Sequence, residues 1–164
     1  MKYFAYGSNM HVQRFRRRVH SGKPLCVGSL EKHALRFHKK GTDGSGKCNA
    51  FYTGEAADRV LGIIYEMAPE EKTALDAAEG PGYRVHNTAV NGMDGTRHEA
   101  FIYVACSDAI DDSQKPFCWY KAFVVHGARH FKLPPYYIQQ LETVSAIPDT
   151  DTRRESQNRR ILES

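Results

Sequence analysis

The tetrapeptide Tyr-Gly-Ser-Asn at positions 6–9 combines residue types that can bind a small anion. Residues 2–6 (Lys-Tyr-Phe-Ala-Tyr) come immediately before the glycine, so the pattern predicts a strand that ends in a glycine turn. Gly7 can adopt backbone angles that other residues avoid, and Ser8 and Asn9 are of the types that cap a following helix, expected over 10–18. Backbone N–H groups that converge at such a turn can bind a carboxylate or an oxyanion. An ordinary strand-to-helix connection is the alternative.

Glu79 is the second candidate, because it lies where a helix is expected to end. The helix is predicted to begin at Pro69, with two glutamates in its first turn, and Gly80-Pro81-Gly82 would end it. At the C-terminal end of a helix the dipole opposes a negative charge and makes a carboxylate more basic. A basic carboxylate beside a turn suits a general base. An exposed glutamate without a catalytic role is the alternative.

Two other motifs match known sites only in part. Residues 41–48 approach a phosphate-binding P-loop, but Cys48 replaces the Ser or Thr that should hold magnesium, and a strand is predicted to follow instead of a helix. A hairpin loop that borders a pocket is the favoured interpretation. His126 and His130 lie four residues apart on a predicted helix, but no third ligand lies nearby. We therefore predict no metal site.

Composition restricts the classes of function further. The chain has 164 residues, of which 41% are hydrophobic, and a formal charge of +4, which is typical of one globular domain. No apolar run approaches the roughly 20 residues that cross a bilayer, and no signal peptide is evident, so we expect a cytoplasmic protein with no membrane partner. Four scattered cysteines are expected to be reduced thiols. The basic segment 14–18 is interpreted as solvated surface, so no nucleic-acid partner is predicted.

Strands are predicted mainly in the first half of the chain and helices in the second. Residues 91–95 are expected to form the turn of a hairpin, and prolines mark the starts of two later helices. Residues 148–164 form a polar C-terminal tail, interpreted as a poorly ordered end or a short helix. The predicted strands cover residues 2–6, 24–30, 34–39, 48–53, 60–67, 85–90 and 99–104.

Several motifs together resemble the gamma-glutamylcyclotransferases, including members with the AIG2-like fold. The resemblance extends from Lys2 to about Ile147, and it implies a domain over residues 1–147 and an α+β fold with a small mixed β-barrel flanked by helices. It also implies a reaction without a metal or organic cofactor. The segments that carry it are residues 3–10 (YFAYGSNM), 60–65 (VLGIIY), 75–80 (LDAAEG), 116–121 (PFCWYK), 127–129 (GAR), 133–134 (LP) and Tyr137.

The resemblance also assigns roles to residues of this sequence. Glu79 corresponds to the catalytic glutamate, and Tyr120 corresponds to a tyrosine that contacts the substrate. The implied reaction is an attack by the α-amine of a γ-glutamyl amino acid or peptide on its own γ-carbonyl, which releases 5-oxoproline and the free amino acid. The only implied partner is this small-molecule substrate, and the oligomeric state is left open. The substrate loop corresponds to Tyr3, Phe4, Ala5, Tyr6, Gly7, Ser8 and Asn9.

One departure from the family pattern bears on the substrate. Many members have extra residues after the catalytic Glu-Gly, whereas here only Gly80-Pro81-Gly82 separates Glu79 from Tyr83. The width of the pocket is therefore left open. Two alternatives remain: a cyclotransferase for γ-glutamyl amines or for a γ-glutamyl-protected natural-product intermediate, and a non-catalytic relative that binds a small acid.

Overall fold

Seven β-strands and five α-helices form the protein, and the computed structural model describes all residues from Met1 to Ser164. All seven predicted strands are present, and each has bounds within two residues of those expected. The strands are β1 (Lys2–Ala5), β2 (Lys23–Glu31), β3 (His33–Lys40), β4 (Gly46–Tyr52), β5 (Arg59–Glu66), β6 (Tyr83–Gly92) and β7 (Arg97–Ala105). The helices are α1 (Val12–Arg16), α2 (Lys72–Glu79), α3 (Cys118–His130), α4 (Pro135–Thr143) and α5 (Thr152–Leu162).

Five of the strands close into a barrel in the order β1-β5-β2-β6-β7. The contact between β1 and β7 is parallel, while the other neighbours pair antiparallel, so the barrel is mixed. Strands β3 and β4 form a separate two-stranded sheet. The predicted hairpin joins β6 to β7. The expected α+β fold with a small mixed barrel is therefore confirmed.

Glycines allow the barrel strands to approach each other closely. Gly28 and Gly62 face each other in the register of β2 and β5. A Cβ atom at Gly62 would lie 2.3 Å from the carbonyl oxygen of Ala5, and one at Gly28 would lie 2.9 Å from the side chain of Ile64. Any larger residue at position 62 would therefore push β1 away from β5, and β1 leads directly into the candidate anion-binding turn.

Helix α3 holds that turn from the other side. Seven of its thirteen residues are buried, and Phe123, Val124 and Ala128 are fully inaccessible to solvent. A Cβ atom at Gly127 would lie 2.5 Å from Cβ of Met10, which is itself completely buried. The turn after β1 is thus packed between the barrel and α3, and such packing lets its backbone keep a fixed geometry.

The C-terminal segment forms a helix, which is one of its two predicted forms. Asp149 anchors it: the indole N–H of Trp119 donates to Oδ2 at 2.8 Å, and Nε and Nη2 of Arg154 donate to the two carboxylate oxygens at 2.6 Å each. The hydrogen bonds from Arg154, with that from Trp119, hold the pKa of Asp149 well below its usual range. Helix α5 then packs against α1 and α3. The domain boundary at residue 147 stays a prediction.

None of the helices is both long and apolar enough to cross a membrane. The first helix also differs from expectation, because residues 8–10 form a 3-10 turn and α1 begins only at Val12. The capping prediction was wrong at this point. The side chains of Ser8 and Asn9 do not cap the turn, and instead Nδ1 of His11 accepts the N–H of Arg14 at 3.4 Å to cap α1.

Candidate active site

The side chains of Asn9 and Arg18, near the start of the chain, both contact Glu79. Nδ2 of Asn9 donates to Oε1 of Glu79 at 2.7 Å, and Nη1 of Arg18 donates to the same oxygen at 3.1 Å. The Arg18 nitrogen also donates to Oδ1 of Asn9 at 2.9 Å. Oε2 of Glu79 receives no hydrogen bond from the protein, so one carboxylate oxygen is held and the other is open. This is the arrangement needed by a group that exchanges protons with a ligand.

Glu79 is the last residue of α2, where the sequence places it. Gly80 ends the helix with φ of 72°, a left-handed conformation that glycine adopts without a steric penalty. Only 16% of the Glu79 side chain is exposed, so the alternative of an exposed helix-end glutamate does not hold. Asn9 and Arg18 hold this carboxylate in place by two hydrogen bonds, which sequence reasoning about the helix dipole did not anticipate.

Gly7 is required for a different reason from the one predicted. Its φ is −115°, which other residues also adopt, so left-handed freedom is not used here. A Cβ atom at this position would lie 3.0 Å from Cβ of Cys48 and 3.4 Å from the hydroxyl oxygen of Tyr120. Glycine therefore lets β4 and α3 approach the turn. Close approach, and not an unusual torsion, explains the residue.

The turn leaves backbone N–H groups free. Its first hydrogen bonds run from the N–H of Met10 to the carbonyl of Gly7 and from the N–H of His11 to that of Ser8. The N–H groups of Gly7, Ser8 and Asn9 come before these bonds, and the first N–H groups of any helical turn lack partners within it. These groups lie at the wall of the cavity that contains Glu79.

A narrow inner pocket of about 20 Å³, enough for about one water molecule, lies between the turn and Glu79. Burial is the main reason why the pKa of each of its five tyrosine hydroxyls lies above the usual value, so all five stay neutral and can donate. Its lining consists of Tyr3, Tyr6, Gly7, Ser8, Asn9, Cys48, Glu79, Tyr83, Tyr103 and Tyr120.

Only two of these tyrosines keep a hydroxyl proton for a ligand. The hydroxyl of Tyr3 accepts from Nδ2 of Asn9 at 3.0 Å, and that of Tyr120 accepts from the N–H of Cys48 at 3.1 Å. The hydroxyls of Tyr6, Tyr83 and Tyr103 donate to Tyr103 O, Cys48 O and Asp76 Oδ1. Tyr3 and Tyr120, both named from sequence, are thus the two free donors.

Two residues of the predicted substrate loop lie elsewhere. The side chains of Phe4 and Ala5 do not line the pocket and are fully buried in the hydrophobic core. They belong to β1, where Phe4 pairs with Ile64 and Ala5 pairs with Ile63. Their contribution is to hold the strand, and the remaining five residues of the predicted loop line the cavity.

Beside the inner pocket lies an outer cleft of about 330 Å³, a volume within the range of small-molecule sites. Ser8, Glu79, Tyr83 and Tyr120 border both spaces, which makes the two continuous. Four cationic side chains line the outer cleft, whereas Glu79 is its only acidic lining residue. The cations are Arg14, Arg18, Lys39 and Lys47.

The cations of the outer cleft are held by neighbours and partly desolvated. Nζ of Lys39 donates to the carbonyl of Pro81 at 2.7 Å, and Nζ of Lys47 forms an ion pair with Asp43 at 2.6 Å. Burial lowers the pKa of both lysines. Burial, followed by the charge of Arg18, lowers the pKa of Arg14 to about 10, so this residue stays charged at neutral pH.

The interpretation of segment 14–18 as solvated surface was therefore wrong for two residues. Arg14 donates to Oγ of Ser8 at 3.1 Å and lies over the ring of Phe123, while Arg18 binds Glu79. Arg16 and Arg17 are exposed, as expected. Side chains four residues apart lie on the same face of a helical turn, as Arg14 and Arg18 do here. A run of identical charges in the sequence does not show which of them point inward.

The structure also places the other motifs that the sequence singled out. The loop 41–45 joins β3 to β4, and Gly41, Thr42 and Lys47 border the outer cleft, so a hairpin loop beside a pocket is confirmed. His126 and His130 are exposed residues of α3, and they belong to no group of ligands that could bind a metal. All four cysteines are free thiols.

Sequence reasoning missed the contribution of Tyr103, Cys48 and the arginines to the cavity. Tyr103 lies at the end of β7, next to β1 in the closed barrel, so its proximity to the turn follows from strand order and not from any local motif. A larger cavity of about 700 Å³ between β3 and α4 includes none of the predicted site residues.

Comparison with known proteins identifies the family. The model of the AIG2-like family matches residues 59–141, about half of the chain, and this segment includes Glu79 and Tyr120. This chain belongs to the AIG2-like family. The predicted family resemblance is thus confirmed, although the matched segment does not include the turn at residues 6–9.

Individual proteins are also similar to this chain. A protein of Homo sapiens named gamma-glutamylcyclotransferase is 28% identical over 152 residues, which cover 87% of this chain and 77% of that protein. A solved structure titled "Gamma-glutamyl cyclotransferase" has a TM-score of 0.84 at 24% identity and covers 97% of this chain and 98% of its own. A yeast structure described as a cyclotransferase specific to glutathione has a TM-score of 0.58 at 13% identity, and the match covers 99% of this chain and 94% of the yeast chain. These solved structures establish the fold.

Proposed function

We propose that this protein is a gamma-glutamylcyclotransferase, which converts a γ-glutamyl amino acid or peptide into 5-oxoproline and the free amino acid. The observation that carries the proposal is the carboxylate of Glu79, which lines the pocket with Oε1 bound by Asn9 and Arg18 and Oε2 without a hydrogen bond from the protein. The names of the relatives support the same reaction class.

In the proposed reaction the substrate supplies its own nucleophile. The α-amine attacks the γ-carbonyl carbon, a C–N bond forms to close the five-membered ring, and the C–N bond to the leaving group breaks. Near neutral pH the amine carries an extra proton, which Oε2 of Glu79 accepts before or during attack. The same carboxyl group passes that proton to the leaving nitrogen, and its carboxylate then accepts a second proton from the ring nitrogen, which becomes the amide N–H of 5-oxoproline. The released amine takes up this second proton and leaves as an ammonium group. Charge and atoms balance without any cofactor.

The turn after β1 would stabilise the oxyanion that develops on the γ-carbonyl, or bind the substrate's α-carboxylate. The free N–H groups of Gly7, Ser8 and Asn9 line the inner pocket, and fixed donors of this kind contribute most when they need no rearrangement. The free hydroxyls of Tyr3 and Tyr120 are further donors in the same space. A folded substrate held by these groups would have its amine close to the carbonyl, which lowers the entropic part of the barrier.

The charges of the outer cleft favour amino acids over amines as leaving groups. The inner pocket holds only about one water molecule, so the γ-glutamyl head would extend from Glu79 into the adjoining part of the outer cleft. The leaving group would then occupy the part of the cleft lined by Lys39, Lys47 and Arg14. A released amino acid carries a carboxylate that these cations attract, whereas a simple amine is repelled. A non-catalytic acid-binding relative would not need an open carboxylate at the same place, because Glu79 repels an anionic ligand.

A panel of γ-glutamyl compounds with 5-oxoproline as the measured product tests the proposal. The panel pairs a γ-glutamyl amino acid with a γ-glutamyl amine whose leaving group has the same side chain. The two compounds differ only in the carboxylate of the leaving group, which the amine lacks. We expect 5-oxoproline from both and a higher kcat/KM for the amino acid. If no compound yields 5-oxoproline while several bind, the protein is a binding relative.

A further inference from the structure

A cluster of Cys26, Asp94 and His98 lies at the opposite end of the barrel from Glu79. Strands β1 and β7 run parallel, and Tyr3 pairs with Phe101, so the first residues of both strands lie at one end and the candidate active site lies at the other. His98 is near the start of β7, Cys26 belongs to β2, and Asp94 lies in the turn between β6 and β7. No step of the proposed reaction uses these residues.

The three side chains direct their ligand atoms to one point. Sγ of Cys26 lies 3.6 Å from Nε2 of His98, and Oδ2 of Asp94 lies 3.7 Å from the same nitrogen. All three ligand atoms lie within 4.8 Å of one another. The arrangement is not a Cys-His-Asp catalytic triad. In a triad the cysteine and the aspartate contact different ring nitrogens of the histidine, whereas here both contact Nε2 of His98.

We propose that Cys26, Asp94 and His98 form a binding site for a zinc-type divalent cation. With Zn–S bonds of about 2.3 Å and Zn–N bonds of about 2.0–2.1 Å, a tetrahedral site separates sulfur from nitrogen by about 3.6 Å. The Cys26–His98 distance matches this value. The distance of 3.7 Å between Nε2 of His98 and Oδ2 of Asp94 is within a few tenths of an ångström of the N–O separation in such a site. Solvent takes the fourth position.

The local backbone supports the convergence of these ligands. A Cβ atom at Gly92 would lie 2.3 Å from Oδ1 of Asp94 and 3.0 Å from Nε2 of His98, so glycine leaves the space that both side chains occupy. The side chain of His98 is 8% exposed and that of Asp94 is 48% exposed. A buried, oriented histidine beside an accessible carboxylate gives a fixed ligand and a route for the ion from solvent.

Lys2 opposes occupation of the site. Its Nζ lies 3.1 Å from Nδ1 of His98, the ring nitrogen that faces away from Cys26 and Asp94. When Nε2 binds a metal ion, Nδ1 carries the proton and needs an acceptor, which an ammonium group cannot provide. Lys2 must therefore turn away on binding. In Lys2→Gln a carbonyl oxygen becomes available, and the affinity for the ion should increase.

Metal titration of the purified chain, first freed of metal with a chelator, tests the site. Zn²⁺ affinity is measured by competition with a chromophoric chelator, and Co²⁺ reports thiolate ligation through its sulfur-to-metal charge-transfer absorption. We expect the parent to bind one ion per chain. Cys26→Ser should lose the charge-transfer absorption and bind Zn²⁺ more than about 100-fold more weakly, which exceeds the roughly 10–100-fold loss typical when a residue that only orients a ligand is replaced. Asp94→Asn should bind Zn²⁺ at least about tenfold more weakly. Lys2→Gln should bind more tightly than the parent.

Cys118→Ser is the matched control, since Cys118 is an exposed thiol far along the chain. It should bind both ions as the parent does. Equal affinity in the parent, Cys26→Ser and Asp94→Asn, with circular dichroism showing that all are folded, would overturn the proposal. Loss of the Co²⁺ charge-transfer absorption in Cys118→Ser, with the absorption retained in Cys26→Ser, would also overturn it. Chelation should leave cyclotransferase turnover unchanged, because the site lies at the other end of the barrel.

Discussion

Nη1 of Arg18 lies 2.9 Å from Oδ1 of Asn9 and 3.1 Å from Oε1 of Glu79, so one guanidinium nitrogen joins the turn after β1 to the end of α2. This contact links the two segments that sequence reasoning singled out separately. It also places a positive charge next to the proposed general base.

Removal of that contact should lower turnover. In Arg18→Met the carboxylate of Glu79 loses one of the two donors that hold Oε1, so its position is less fixed and kcat for a γ-glutamyl amino acid should fall about tenfold or more. Steady-state release of 5-oxoproline measures the effect. Arg17→Met, a change at an exposed neighbour, is the control. An unchanged kcat in a folded Arg18→Met protein would contradict a role of this contact in positioning Glu79.

Glu79→Gln tests the proposed base directly. The amide keeps the shape and can still accept one hydrogen bond at the position of Oε1, but it cannot accept the amine proton, so turnover should fall by about 10²-fold or more. Steady-state release of 5-oxoproline measures the effect. Glu70→Gln, at an exposed residue just before the same helix, should behave as the parent. Near-normal turnover of Glu79→Gln with an unchanged melting temperature would remove the assignment.

The strands could be predicted from sequence because each one is a local pattern. Alternation and turn residues determine where β5 or β7 begins, and neither depends on distant contacts. Glu79 could also be found locally, since the glycines after it mark the end of a helix. The barrel was expected only from the family resemblance, and the order of its strands was not predicted, because pairing between distant segments leaves little local signal.

The parts of the site that sequence reasoning missed are those created by tertiary contact. Arg18 and Arg14 looked like solvated surface because their neighbours carry the same charge, and only the packing of α1 against the turn shows which ones point inward. Gly7 was assigned for its torsion, although the approach of Cys48 and Tyr120 explains it. A contact with a residue about 40 or more positions away cannot be read from spacing alone.

Lys39 should contribute to recognition of the leaving group. It is 3% exposed and lines the outer cleft, so Lys39→Met keeps much of its volume and removes its charge. A hydrogen bond to a charged group is worth about 1.5–3 kcal/mol, so KM for a γ-glutamyl amino acid should rise about tenfold or more with little change in kcat. The matching γ-glutamyl amine should show no such rise. Lys40→Met, at the exposed neighbour, is the control. Equal losses on both substrates would contradict a role in carboxylate recognition.

His11 should make the fold sensitive to mild acid. Burial, with the nearby charge of His126, lowers the pKa of His11 from 6.5 to about 4. Between these values the unfolded chain binds a proton that the folded chain does not, so stability is complete above pH 6.5 and falls as the pH drops toward 4. Protonation would also remove the Nδ1 acceptor that caps α1.

His11→Asn keeps a capping acceptor and removes the titration, so its melting temperature should fall less than that of the parent over this pH window. Thermal unfolding followed by circular dichroism at several pH values measures the difference. His86→Asn replaces an exposed histidine of β6 and should follow the parent. Parallel curves for the parent and His11→Asn would show that His11 stays accessible to protons in the folded state.

The chemistry of the substrate gives the most direct test of the proposed mechanism, since the nucleophile is the substrate's α-amine and not a side chain of the protein. Acetylation of that amine removes its nucleophilicity but leaves the α-carboxylate, so turnover should vanish while weak competitive inhibition remains through the Gly7–Ser8 backbone. Mass spectrometry should detect no acyl-enzyme with either compound. Release of free glutamate without 5-oxoproline, or cleavage of the acetylated compound, would mean that water or a protein group attacks the carbonyl. Glu79 would then act in a hydrolase, because only intramolecular attack by the amine can close the 5-oxoproline ring.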